Sequence, residues 1–279
     1  MSRRKIVFPI FLLAAGIGLH AEDRTHVVGL VKQIQAADYK DDRDGLKRLH
    51  DELGPFVEQS RFGAHVQYWR GFALWRRAIN GFNDRVAPSE LQADLQRAID
   101  EFQSAWKMDP KFADAKIGEL SCYGFLMFSN NSHPDAASLQ EMIGEIHRMR
   151  HEVEAVDAGN PRLAWVMGPM VWNAPPEHGG GPERAIEDYE KALTAVRKSR
   201  GTDDPLDPSW GEPELRMSLA WSYLHRPMPD LDRAEIDAEA ALKLVPYWHY
   251  VREILLPQIQ EARRKAEAAF DEELAPRFF

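Results

Sequence analysis

The sequence is poor in cysteine, in positive charge and in long apolar runs. Cys122 is the single cysteine among 279 residues, so no disulfide can form within the chain. The 35 Lys and Arg residues are outnumbered by 44 Asp and Glu, and the net charge of -9 argues against a nucleic-acid-binding protein, which usually presents a basic face. The apolar stretch at residues 6–18 is shorter than the roughly 20 residues of a membrane span.

Motifs of known enzymes are also missing. No Ser-His-Asp arrangement, Gly-x-Ser-x-Gly turn or pair of carboxylates at a useful spacing is apparent. Cys122 lies in an apolar segment, where a small buried side chain is more common than a nucleophile. The sequence therefore favours a non-enzymatic protein with no cofactor and no metal.

The N-terminus has the three parts of a secretory signal peptide. Residues 2–5 are polar and basic, residues 6–18 are apolar, and residues 19–21 form a cleavage site of the small-residue type. Cleavage would leave residues 22–279; the alternative is a retained anchor. Export without disulfides favours a bacterial periplasm, and no cysteine follows the apolar stretch to carry a lipid anchor.

The rest of the chain repeats a pattern of small and large residues at helical spacing. Alanines alternate with an aromatic or a further alanine, and the pattern ends at a proline in two of its three clear copies. The copies are Ala98, Phe102, Ala105 and Pro110; Ala185, Tyr189 and Ala192; and Ala234, Ala238, Ala241 and Pro246. A helix before the second copy places Gly168 between Met167 and Val171. Small residues allow two helices to approach closely, and large ones fill the core.

These patterns resemble the tetratricopeptide repeat (TPR), a hairpin of two helices. The resemblance implies an all-α, TPR-like α-solenoid of antiparallel helix hairpins with a C-terminal capping helix. The expected units are residues 61–110, 111–160, 161–200 and 211–246, with the capping helix at 247–273 and a helix pair at 24–39 and 41–53 capping the first end. Residues 202–210, with three acidic residues and two prolines, are expected to form a loop.

Three short motifs narrow the resemblance. Asn-Pro-Arg at 160–162, Pro-x-x-x-Gly-Gly-Gly at 175–181 and Pro-x-Trp-Gly at 208–211 occur in this order in a group of exported bacterial TPR proteins. The chain is more distantly similar to the T-component of tripartite ATP-independent periplasmic transporters, which is thought to hold an apolar ligand. It departs from that component by lacking the cysteine that carries a lipid.

A solenoid of this kind has a concave surface suited to binding. The candidate groove residues are mostly aromatic, as in many binding surfaces; they are Tyr68, Trp75, Trp165, Trp172 and His178. Two functions follow from the sequence and the resemblance. One is a cell-envelope scaffold for a protein or peptide partner, and the other is a carrier of a small apolar ligand for a transport system.

Two further motifs have a chemical and a structural interpretation. His147 and His151 are spaced to share a zinc or copper ion, but Arg148 and Arg150 place positive charge beside them. The glycines Gly179, Gly180 and Gly181 precede a helix and could hold a phosphate. They lack the Lys-Ser/Thr of a P-loop, so a tight helix connection that needs unusual backbone angles is favoured.

Overall fold

The computed structural model describes residues 12–58, 61–129, 136–198 and 203–274. Residues 1–11 of the expected signal peptide lie outside these ranges. The described residues form helices and turns with no β-strand, and the all-α prediction is confirmed. No helix among them is both long enough and apolar enough to cross a bilayer.

Eleven α-helices account for most of the described residues. In chain order they are α1 (Leu12–Tyr39), α2 (Arg43–Glu52), α3 (Gly63–Asn83), α4 (Pro88–Met108), α5 (Ala113–Ser129), α6 (Ala136–Asp157), α7 (Pro161–Asn173), α8 (Pro182–Lys198), α9 (Glu212–His225), α10 (Leu231–Leu244) and α11 (Leu256–Leu274). Short 3-10 turns lie at Gly54–Phe56 and Pro176–His178, and a π-helical turn at Tyr250–Leu255 leads into α11.

The starts of these helices follow from local chemistry. The side chain of Asn160 accepts a hydrogen bond from the Arg162 amide, and Pro161 occupies the first turn of α7, where its missing N–H costs nothing. The carboxylates of Asp42 and Asp230 cap α2 and α10 in the same way. Polar caps and prolines therefore set where the repeated helices begin.

Consecutive helices pack as four hairpins: α3 with α4, α5 with α6, α7 with α8, and α9 with α10. The alanines of the repeat pattern are buried at the contacts between helices. The closest approach between helices is at Gly168, because a Cβ at this position would overlap the ring and hydroxyl of Tyr189. Gly71 and Gly118 both face Phe102 in a similar way.

One local expectation differs from the structure. Residues 81–88 begin with glycine and end with proline, which predicts a turn, but α3 continues through Gly81 to Asn83. Gly81 serves as a close-approach residue, since a Cβ at this position would lie 2.6 Å from the Leu91 side chain and 3.0 Å from Arg43 Nε. Gly81 therefore lies within α3, where it allows close packing, and does not begin a turn.

Helix α1 does more than cap the first end of the stack. Its last residue, Tyr39, donates a hydrogen bond to Glu214 in α9 at 2.6 Å, and its ring lies 5.0 Å from that of Trp248. The first helix thus reaches the C-terminal units. The expectation of a helix pair confined to one end is wrong for α1. Its residues from Val27 to Ala37 pack in the core of the first units, whereas Tyr39 at its C-terminal end packs in the core of the last units.

Candidate functional site

The first helices of the hairpins, α3, α5, α7 and α9, contact one another in succession and form one side of the stack. We call this side the inner face. Part of it is filled by residues 203–211, the segment between α8 and α9. The Trp69 indole donates to the Leu206 carbonyl at 2.7 Å, and the Trp210 indole donates to the Tyr68 hydroxyl at 2.7 Å. Leu206 and Trp210 are buried in the core.

The 203–211 segment is also fixed by polar contacts at its edges. Asp207 lies 2.7 Å from His65 Nε2, and Arg162 donates to the Trp210 carbonyl at 3.1 Å. Arg162 in turn pairs with Asp114, and its guanidinium lies over the Trp210 ring at 5.6 Å. The segment is an integral part of the inner face, because buried and half-buried hydrogen bonds tie it to α3 and α7.

Beside this segment the inner face opens into a cavity of ≈ 300 Å³, which we call the inner cavity. Its lining comes from all four first helices and from one second helix. The lining residues are Ile79, Ser121, Phe125, Trp165, Val166, Pro169, Trp172, Asn173, Tyr189, Met217, Ser218, Trp221 and Ser222. Pockets for small molecules usually measure about 300–1,000 Å³ and are mostly apolar with a few polar groups. The inner cavity is at the small end of that range.

Indole rings form much of the cavity wall. Trp172 and Trp221 meet edge to face, with ring centroids 5.1 Å apart at 66°. Trp165 makes similar contacts with Trp210 at 5.4 Å and with Trp75 at 6.0 Å. His225 stacks on Trp221 at 4.3 Å and is exposed. Edge-to-face packing fixes ring orientation, so these rings present a pre-formed apolar surface.

A few polar groups interrupt this surface. Ser222 is 1 % exposed, and its hydroxyl has no hydrogen-bond partner. Ser218 hydrogen-bonds with the Tyr189 hydroxyl, and burial raises the pKa of Tyr189 well above its usual value. The indole nitrogen of Trp165 is likewise buried without a partner. None of the thirteen lining residues is Asp, Glu, Lys, Arg or His.

A buried ion pair supports the wall from behind. Arg76 in α3 donates from Nε to Asp38 at 2.8 Å, and its guanidinium lies 5.6 Å from the Trp165 ring centroid. Burial raises the pKa of Asp38, while the charge and hydrogen bond of Arg76 act against that shift. Burial also raises the pKa of the nearby Glu214 carboxyl, which accepts hydrogen bonds from Tyr39 and from the Gly211 amide. The orientation of Trp165 therefore depends on a charged group that does not line the cavity.

The five candidate groove residues lie in three different environments. Trp165 and Trp172 line the inner cavity. Tyr68 and Trp75 are 0 % exposed, so they do not face a groove; Tyr68 holds Trp210 in place, and Trp75 packs beneath Trp165. His178 is exposed in the turn after α7 and is not among the lining residues.

Sequence reasoning did not place Trp221, Met217 or Phe125 in the site. A signal for two of them is present: Met217 and Trp221 are four residues apart in α9, as Trp165 and Pro169 are in α7. Residues at that spacing share one helix face. The pattern does not tell which face of a doubly apolar helix is the inner one.

The two alternative chemical interpretations find no support. His147 and His151 are exposed, and no group of three or more His, Cys, Asp or Glu side chains in the described ranges could hold a metal ion. The amides of the three glycines are used within the loop itself: Gly179 donates to Pro176, Gly180 to Pro175, and Gly181 to Val171 at 2.8 Å. Gly179 and Gly181 have φ angles of 77° and 108°, as a tight helix connection requires.

Comparisons with known proteins give a structural likeness and no family. No protein-family model matches the chain, and no curated protein matches it. Among solved structures, the HusA haemophore from Porphyromonas gingivalis is similar with a TM-score of 0.55 and 17% sequence identity. The likeness covers 69% of this chain and 90% of that chain. At this level of identity the likeness concerns the helical fold alone.

Proposed function

We propose that this chain is a non-enzymatic binding protein that carries a small apolar molecule in the inner cavity. The observation that carries the proposal is the cavity itself, a space of ≈ 300 Å³ that is lined by the four first helices and α8 and includes three tryptophans. Apolar surface of this kind gains free energy when a ligand replaces water. The edge-to-face indole contacts reduce the ordering cost of binding, because the wall is already in place.

The geometry favours a carrier over a scaffold for an extended peptide. A peptide-binding solenoid offers a continuous concave surface, and here the 203–211 segment occupies part of that surface with its own side chains. A protein partner would therefore have to bind outside the part of the inner face that this segment fills.

The similar solved structure also supports a carrier. That protein is named a haemophore, so a fold of this type is compatible with ligand transport. The basic and apolar N-terminal stretch and the TPR-like motifs support an exported, periplasmic protein of the TPR type. A distant relation to the T-component of tripartite transporters would place such a carrier beside a membrane transport system.

The direct test is binding of prodan, an uncharged naphthalene dye whose emission shifts to the blue in apolar surroundings. We expect saturable binding by the wild type. Replacing Trp172 by alanine removes one wall, and the loss of its aromatic contacts should weaken binding about tenfold. Trp106→Ala is the matched control, because Trp106 is half-buried and lies outside the cavity lining.

Native mass spectrometry of gently purified protein provides a second measurement. A co-purified small molecule that is lost in Trp172→Ala and retained in Trp106→Ala would support the carrier. Absence of prodan binding in the wild type, or equal binding by Trp172→Ala and the wild type, would overturn it. A periplasmic pull-down that captures a protein partner equally with both variants would instead favour the scaffold.

A further inference from the structure

We infer that the inner cavity selects an uncharged ligand of about two fused rings with one hydrogen-bonding group that meets the hydroxyl of Ser222. This inference rests on the proposed function and makes it more specific. It combines three independent properties of the cavity, which are its volume, the absence of charge from its lining and the position of Ser222, whose hydroxyl is one of the two unpartnered polar groups in the lining.

The volume sets the size of the ligand. An engineered apolar protein cavity of about 150 Å³ holds one benzene molecule. The inner cavity has ≈ 300 Å³, which is twice that space. Two fused aromatic rings with a small substituent fill such a volume, and flat rings pack well against a wall that includes three indoles.

The charge of the lining sets the charge of the ligand. The thirteen lining residues carry no acid, no base and no imidazole. Arg76 lies behind the lining residue Trp165, and its charge is paired with that of Asp38. An ion moved into the cavity would lose its hydration without gaining a partner, which is strongly unfavourable inside a protein. The lining therefore discriminates against carboxylates and ammonium groups.

Ser222 determines where the ligand carries its hydrogen-bonding group. Its side chain lines the cavity from α9, is 1 % exposed and has no hydrogen-bond partner. Ser218, one turn earlier, is engaged with Tyr189 and is not available in the same way. A hydroxyl rotates freely and both donates and accepts. The hydroxyl oxygen is itself buried, so a ligand amide or carbonyl beside α9 would pair with it once the Ser222 side chain rotates about its Cα–Cβ bond.

The same properties argue against haem as the preferred ligand. Haem carries two carboxylates, and the cavity lining offers no cation to pair with them. Tyrosine oxygen and methionine sulfur can bind haem iron, and the lining contains one of each, Tyr189 and Met217. Tyr189 is, however, held by Ser218, and burial disfavours the phenolate form that binds iron.

The test compares three probes of one size by isothermal titration calorimetry at pH 7.5. They are 2-naphthamide, 2-naphthoate and naphthalene, which differ in charge and in hydrogen bonding. We expect 2-naphthamide to bind at least tenfold more tightly than 2-naphthoate. Equal or tighter binding of 2-naphthoate, or tighter binding of haemin, would overturn the inference that the ligand is uncharged.

The role of Ser222 is tested with two serine variants. Ser222→Ala should weaken 2-naphthamide about 2- to 10-fold, the range for one lost hydrogen bond, and leave naphthalene binding unchanged. Ser104→Ala, on the outer helix α4 where the hydroxyl bonds to the Asp100 carbonyl, should change neither. An unchanged affinity for 2-naphthamide in Ser222→Ala would remove Ser222 from the site, as would an equal loss for both probes.

The outcomes separate this inference from the proposed function. If prodan binds in the cavity and none of the three naphthalene probes does, the assigned size and shape are wrong while the carrier remains. If prodan and the three probes all fail to bind, the carrier proposal itself fails.

Discussion

Replacement of Gly168 by alanine tests the contact on which the repeat packing depends most. Gly168 lies in α7 where that helix meets α8, its partner in the hairpin. An added Cβ would overlap three atoms of Tyr189, its hydroxyl oxygen, Cζ and Cε1. Tyr189 is 5 % exposed and its hydroxyl is bonded to Ser218, so the ring must be displaced for the methyl group to fit.

Two opposing terms determine the size of the effect. Extra atoms in a packed core typically cost about 1–3 kcal/mol. Alanine in place of glycine inside a helix gains about 1 kcal/mol. We expect a net loss of about 1 kcal/mol in the free energy of unfolding, and a larger loss for Gly168→Leu. In a protein of this size that corresponds to a fall in melting temperature of about 2–4 °C.

The control is Gly144→Ala in α6, where a Cβ would meet nothing within 4 Å. It carries the same gain in helix propensity without the overlap, so we expect it to raise the free energy of unfolding by about 1 kcal/mol. The difference between the two variants in urea and thermal unfolding then isolates the packing term. Circular dichroism should show the same helix content in both.

A second consequence concerns the cavity. Tyr189 lines the inner cavity, which is the open space available to a displaced ring. Gly168→Ala should therefore weaken prodan binding as well as stability, whereas Gly144→Ala should leave binding unchanged. A melting temperature for Gly168→Ala that matches or exceeds that of Gly144→Ala would show that α7 and α8 do not pack as described.

Three further predictions concern charged and titratable groups. Arg76→Met leaves the buried Asp38 carboxylate without its partner and should lower the free energy of unfolding by about 3–5 kcal/mol; a urea midpoint close to that of the wild type would mean that the pair contributes little. The hydrogen bond from Lys47, with help from His50, lowers the pKa of Asp51 from 3.8 to about 2. The ionised Asp51 therefore adds to the free energy of unfolding above the unfolded pKa, and this stabilisation is lost as the pH falls through about 2. Asp51→Asn should therefore be less stable than the wild type at pH 6, by less than about 1 kcal/mol because the side chain is 57% exposed, and the difference should vanish near pH 2 in urea unfolding; a difference that is constant with pH would contradict this. Burial raises the pKa of the Cys122 thiol well above its usual value, so iodoacetamide should label Cys122 in urea and not in the native protein; rapid native labelling would show that α5 is not packed as described.

The helical repeat could be predicted because its signal is local. Asn160 and Pro161 determine where α7 begins, and alanines at fixed spacing determine which helix faces approach. The all-α solenoid follows from such residues without knowledge of any long-range contact. Even the glycine at 81, which misplaced the end of α3, is a correct signal for close approach.

The inner face could be predicted only in part, because it depends on contacts between distant residues. Residues 203–211 are acidic and proline-rich, which is typical of a solvated loop, yet Leu206 and Trp210 pack into the core against α3. Helix α3 is apolar on two faces, and the sequence does not tell which face meets this segment. For that reason Tyr68 and Trp75 were assigned to the groove together with Trp165 and Trp172.

The 203–211 segment also has a consequence for how the chain folds and evolves. Most solenoids have nearest-neighbour contacts only, so folding can start in any unit and units can be gained or lost. Here Trp69 and Leu206 are 137 residues apart in sequence, and Tyr39 and Glu214 are 175 apart. Such distant pairs slow folding, because a long loop must close before they form. They also join the first and last units of the chain. Deletion of a single internal hairpin would therefore break the contacts between these distant residues as well as shorten the stack.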